Sequence, residues 1–322
     1  MTQNRSLRVG LTAILLSLCL RLSGSGLPER LLDWLTRSET AAILISIETG
    51  REVRFSPYLE AFSPDFVESP PASLEFLPED PLPCFSEDQV SLFWATAKKP
   101  DIPALLRQKL SWDLRAAVPT VLILHTHSTE SYTRHGEDYV ESAAWRTLDE
   151  NYNMLSIGAI VKDRLEAAGI GVIQDREIHD YPSYNGSYVD ARQTMEQILA
   201  DNPGIQLVLD LHRDAAGTGG HQMRTLATVD GQESAQLMVV MGTNHDAYEH
   251  NLSLGLKLHA QLERQHPGIT RPLQLRGARY NQDLCPGALL VEVGAAGNSY
   301  QEAVIAANAL ADAIIALARG TG

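Results

Sequence analysis

Cysteine is scarce in this chain. Three occur in 322 residues, Cys19, Cys84 and Cys285, and no two form a CxxC pair. That spacing argues against a cysteine-based structural zinc site. Cys84 and Cys285 could pair only if the fold brings them together, and without a pattern the plain reading is free thiols. Positive charge is also short: 26 Lys and Arg stand against 40 Asp and Glu, for a formal net charge of -14. Nucleic acid as a partner is therefore disfavoured, because binding phosphate needs a basic footprint. Long apolar runs are missing too. The apolar stretch from Val9 to Leu20 is shorter than the roughly 20 residues that a membrane-spanning helix requires. There is no internal repeat.

What is present at the N-terminus reads as an export signal. Arg5 and Arg8 precede Val9–Leu20, and the small residues Ser23, Gly24, Ser25 and Gly26 follow. Arg21 could snorkel, which keeps an uncleaved anchor open. Leu18, just before Cys19, is too large for a lipid-attachment signal. Residues 1–26 are thus a signal or anchor segment, and the rest works outside the cytoplasmic membrane. Leu27–Arg37 could form a short amphipathic helix. Prolines are dense from Ser56 to Pro103, so residues 27–115 read as a variable linker or stalk. Hydrophobic residues make up 44% and charged residues 20% of the chain, enough for a sizeable core.

Regular structure becomes legible near Val118. Val118–Leu124 is an apolar run rich in β-branched residues, the pattern of a buried parallel strand. Further strands are predicted over Gly171–Gln174, Ile205–Leu211, within Ser234–Met241, and over Ala288–Val293. Helices are predicted over Asn153–Ala168, Asp190–Ala200, Asn251–Gln265 and Gln301–Arg319. The alternation implies an α/β domain over residues 116–322, a mostly parallel sheet with helices on both faces. Ligands bind such sheets beyond the carboxyl ends of the strands.

The polar residues fall at those ends. The first strand runs into His125-Thr126-His127-Ser128-Thr129-Glu130, the third into Asp210-Leu211-His212-Arg213-Asp214, and the fifth carries Glu292. Two histidines and a carboxylate around an open position are the donor set of a catalytic zinc ion. A further carboxylate can move the proton of the attacking water. A lone histidine after a strand is more often structural. A glutamate between Val291 and Val293 is costly unless paired or used. Asp180–Tyr188 combines turn formers with three tyrosines, suited to presenting aromatic faces to a sugar or peptide and equally to ordinary loop packing. Arg192, Arg213 and Arg279 could grip a substrate carboxylate or serve as ion pairs. Tyr280-Asn281-Gln282-Asp283 could line the cleft. The remaining histidines, His179 and His259 among them, have no strand-end context and read as surface residues.

The segments Leu124–Tyr132, His179–Tyr188, Asp210–Ala215, Arg279–Leu284 and Gly287–Gly294, in that order, resemble the stage II sporulation protein P family. The resemblance covers roughly Thr120 to Ala318. It implies a zinc-dependent N-acetylmuramoyl-L-alanine amidase fold, removal of stem peptides from peptidoglycan, and a second endopeptidase activity on cross-links. It also implies a role in engulfment at the mother-cell membranes, beside a membrane-bound lytic transglycosylase. Carried over by motif, His127 and His212 bind zinc and Glu292 is the general base. The third ligand is Glu130, with Asp149 and Glu150 as alternatives from the wider superfamily. His125, Tyr184, Arg213 and Asn281 are expected to contact substrate or support the ligands. Two other functions fit the residues: a zinc peptidase acting on other exported peptides, and a non-catalytic wall-binding module.

Overall fold

A computed structural model describes residues 84–87, 90–110, 112–115, 118–134, 137, 145–218 and 221–320. The export segment at 1–26, the helix expected at 27–37 and most of the proline-rich stretch lie outside the described residues.

The centre is an eight-stranded sheet of order β1-β2-β11-β10-β12-β5-β3-β4. Its strands are β1 (Cys84–Glu87), β2 (Val90–Ala95), β3 (Val121–Leu124), β4 (Val172–Gln174), β5 (Leu207–Asp214), β10 (Leu237–Gly242), β11 (Leu273–Arg276) and β12 (Ala288–Ala295). β4, β3, β5 and β12 are mutually parallel. β10 is antiparallel to β12, and β11 and β2 run with β10. The expectation of a mostly parallel sheet therefore holds, with direction reversing between β12 and β10 and again between β2 and the edge strand β1. A small arm leaves the end of β5, made of β6 (Gly217–Thr218), β7 (His221–Gln222), β8 (Leu226–Val229) and β9 (Gln232–Ala235).

Among the described residues five helices complete the fold: α1 (Ile102–Arg107), α2 (Met154–Ala167), α3 (Ser187–Asp201), α4 (Tyr248–Gln265) and α5 (Tyr300–Ala318). Their starts are written in the sequence. Asp101 and Asn153 accept first-turn N–H groups of α1 and α2, and Ser299 with Glu302 forms a full capping box on α5. Alternating side chains of the sheet face opposite ways. Val121, Ile123, Leu209, Leu211, Leu289 and Val291 join the large core with α2, α4 and α5. Leu122, Leu124, Val208 and Ala288 face the other way, against Ala191 and Met195 of α3. That second face has one long helix, so its far end is open for a site.

Residues 84–107 fall in the stretch read as linker, yet they form β1, β2 and α1. Pro83 and Pro100 flank the two strands, and Pro103 falls in the first turn of α1, where a proline needs no backbone N–H. His259 on α4 helps hold β2. It is 1% exposed, its Nε2 accepts from the Ser91 backbone N–H at 3.3 Å, and it lies 3.1 Å from Thr270 Oγ1. It is not a surface residue. Burial lowers its pKa from 6.5 to about 4. A histidine that folds neutral makes stability fall as pH drops from the unfolded toward the folded value. Relative to His259→Gln, the wild-type chain should lose about 2–3 kcal/mol between pH 6.5 and 4. Urea unfolding of both proteins across that range checks it, and parallel curves would refute it.

Candidate active site

β3, β5 and β12 are parallel neighbours, so their carboxyl ends share one edge of the sheet. Glu292 on β12 lies directly across the ladder from His212 on β5. Both belong to the strand positions that face α3. Beyond β3 the chain turns through Thr126–Thr129. The turn carries His127 back over the same face, where its ring meets His212 edge-on, centroids 5.1 Å apart.

His212 sits among carboxylates. Its Nδ1 lies 3.8 Å from Glu130 Oε2 and its Nε2 3.0 Å from Asp210 Oδ1. The second contact pairs the imidazole closely with the Asp210 carboxylate. Burial disfavours the charged imidazole, but Asp210, Glu130 and Glu292 outweigh it and raise the pKa to about 9. Asp210 would be raised by burial, but His212 and two bonds from Thr126 hold it below its usual value. Glu292 is pushed up to about 8 by burial and by the charges of Asp214 and Glu130, against the opposing pull of His212.

His127 has the opposite character. Burial, with His212, Arg146 and Arg213 nearby, pushes its pKa well below 6.5. Its ring stacks on Tyr184 at 4.4 Å and meets the edge of Tyr188, and Nδ1 lies 3.3 Å from Ser187 Oγ. Ser187 and Tyr188 stand in the first turn of α3, which Gly186 opens with φ of 101°.

The donor types gathered here suit a metal ion, although their ligand atoms do not all lie within 4.8 Å of one another. His127 is held neutral, the form that ligates. Three carboxylates that raise one imidazole to about 9 make a region favouring positive charge. Glu292 Oε2 is buried without a hydrogen-bond partner among the described residues. Two imidazoles and a carboxylate suit zinc. A tighter constellation lies nearby, Asp175, Glu177 and His179, whose donor atoms fall within 4.8 Å of one another. Its members already satisfy each other and their surroundings. Asp175 pairs with His179 at 2.7 Å, and Glu177 accepts from Thr194 at 2.7 Å. His179 is buried by that pairing, not a surface residue.

The structure brings His127, Glu130, His212, Glu292 and Tyr184 together. It does not bring the other expected contacts into the open. His125 is fully buried on the opposite face. A Cβ on Gly158 of α2 would collide with its Nε2, and Gln174 lies 3.1 Å from that atom. Its surroundings offer packing, not substrate. Arg213 is 2% exposed, with Nε donating to Ser131 O at 3.0 Å and Nη2 to Trp145 O at 2.7 Å. It clamps two loops. Removing a buried, bonded cation of this kind leaves carbonyls unpaired, so Arg213→Ala should cost about 3 kcal/mol or more. Chemical denaturation checks this, and a cost below about 1 kcal/mol, the range of a surface pair, would contradict it. Asn281, 8% exposed with φ of 54°, donates to Tyr188 O at 2.8 Å and so buttresses α3. Asp149 pairs with Arg134, and Glu150 with Arg176, both apart from the histidines.

Two polar residues escape sequence reasoning. Arg146 reaches Glu130 Oε1 at 3.4 Å and Asp180 Oδ2 at 2.9 Å. Asp180, 1% exposed, also accepts from Thr129 N and Oγ1. Neither follows a strand, so no pattern marks them. Asp210, by contrast, could have been found, since it lies two residues before His212 on the same strand face.

A family model described as Stage II sporulation protein P (SpoIIP) matches residues 86–315. The chain is 32% identical over 205 residues to Stage II sporulation protein P of Bacillus subtilis (strain 168), which covers 60% of this chain and 49% of that protein. It thus spans about half the length of the curated relative it matches. Among solved structures it is similar to the CwlD amidase from Clostridioides difficile in complex with the GerS lipoprotein, at 15% identity and TM-score 0.40 over 61% of this chain and 96% of that one. It is similar also to an N-acetylmuramoyl-L-alanine amidase from Clostridium difficile 630, at 15% identity and TM-score 0.39 over 64% and 97%. Likeness at that level carries no functional argument.

Proposed function

We propose, from the premise that this chain belongs to the stage II sporulation protein P family, that it is a zinc-dependent N-acetylmuramoyl-L-alanine amidase of peptidoglycan. The observation that carries the reading is the convergence of His127, Glu130, His212 and Glu292 at one edge of three parallel strands. His127, Glu130 and His212 would hold the metal. When bound, zinc supplies the Lewis acidity that polarises an amide carbonyl and makes water nucleophilic near neutral pH. Glu292 accepts the proton of the attacking water as the O–C bond forms, and returns it to the amine nitrogen as the C–N bond breaks. Tyr184, stacked on His127, and Tyr188, at its edge, form a wall against which a sugar or peptide would lie.

An endopeptidase activity on cross-links, export or anchoring by the N-terminal segment, and a membrane-bound lytic transglycosylase partner belong to the same reading. The test is digestion of purified sacculi by the full chain, with mass analysis of the soluble products. Free stem peptides and intact glycan strands with unsubstituted lactyl groups are the expected products. Products cut only within peptides would replace the amidase by a peptidase.

A further inference from the structure

We infer that Arg146 is a positioning residue for the metal site, orienting both the carboxylate and one imidazole of the proposed ligand set; the inference rests on the zinc reading above. One guanidinium does two things here. Its Nη2 lies 3.4 Å from Glu130 Oε1, while Nη1 is anchored 2.9 Å from Asp180 Oδ2. Its guanidinium carbon also lies over Tyr184, 4.7 Å from the ring centroid, and Tyr184 in turn stacks on His127.

The consequences for Glu130 follow from the geometry. Arg146 occupies Oε1. Oε2 accepts the Arg213 backbone N–H at 3.0 Å and points toward His212 Nδ1 at 3.8 Å. The carboxylate is thereby fixed by a partner at each oxygen, with Oε2 on the side of His212. The anchor is firm, since the side chains of Arg146 and Asp180 are 9% and 0% exposed. The segment carrying Arg146 is itself pinned to the site. Ser131 N donates to Trp145 O at 3.0 Å and Thr147 N to Thr129 O at 2.8 Å. Groups that orient ligands typically contribute about 10–100-fold in metal affinity.

Charge and orientation predict opposite signs, which makes the role testable. A cation beside a metal site repels the metal, so its removal by itself should strengthen zinc binding. If Arg146 positions the ligands, Arg146→Gln should bind zinc about 10–100-fold more weakly despite losing that charge. Arg146→Lys keeps the charge but lacks the planar fork that bridges Glu130 and Asp180. It should restore binding only in part. The measurement is zinc affinity of the full chain by competition with a chromogenic chelator, with thermal unfolding of the metal-free proteins alongside. Zinc affinity equal to or tighter than wild type in folded Arg146→Gln overturns the inference. If Arg146→Gln does not fold, Arg146→Lys decides, and wild-type affinity there overturns it equally. A wild-type chain that takes up no zinc would instead sink the metal reading itself, and is distinguishable because the control fails.

Discussion

Replacing Glu292 by glutamine is expected to slow sacculus digestion by roughly 100-fold or more, the scale of general acid–base work, while zinc content and fold persist. The amide nearly matches the carboxyl in shape but cannot move a proton. Glu292 is suited to that task by its place on β12. Burial among apolar strand residues, with Asp214 and Glu130 near, raises its pKa to about 8 in the metal-free chain. Its Oε2 spends no hydrogen bond within the protein. Burial disfavours the charged carboxyl at this position, so the amide should cost the metal-free fold little, and thermal unfolding of the metal-free variant checks this. Zinc content, thermal unfolding and digestion should be measured on one preparation. Near-normal digestion by the folded, zinc-loaded variant would remove Glu292 from the chemistry. Loss of zinc together with activity would make it a ligand.

His212→Ala should weaken zinc binding by more than the about 10–100-fold that loss of a supporting group costs, because it deletes a donor and not merely its support. It has a second signature that needs no metal. In the metal-free chain His212 titrates near 9 instead of 6.5. A raised value means that its contribution to stability is complete below the unfolded pKa and disappears as pH rises through the folded one. The difference in stability between wild type and His212→Ala should therefore shrink between pH 6.5 and 9, by up to about 3 kcal/mol. The variant leaves Asp210, Glu130 and Glu292 facing one another without their cation, so it is the less stable protein at neutral pH. Full zinc occupancy in the variant, or a pH-independent difference, would show that the end of β5 has been misassigned.

The elements that position the site were legible because each is an apolar run with a polar end. Leu207–Asp214 and Ala288–Ala295 bury their side chains on both faces, and such runs in parallel strands announce themselves. His127, His212 and Glu292 stood out against them as charges with no local excuse. The roles of His125 and His127 depend on the turn at Thr126–Thr129. Strand alternation alone would send both the same way, whereas the turn returns only His127 to the site face. Residues whose partners are distant in sequence were illegible. His259 packs on Ser91, 168 positions away, and Arg146 reaches Asp180 across 34. β11 is four residues long and β2 is bracketed by prolines, too short for a periodic signal. The reversal between β12 and β10 leaves no mark in either strand, since the paired stretches are apolar but for Glu292.

The central claim is that one zinc ion, held by His127, Glu130 and His212, is required to cut the amide bond of the peptidoglycan stem. It is tested most directly by digesting sacculi with the full chain before chelation, after chelation, and after stepwise return of zinc, with elemental analysis at each step. The account predicts that stem-peptide release disappears with the metal and returns in proportion to zinc, reaching its plateau at about one ion per chain. Undiminished release from a chain containing no metal would contradict it.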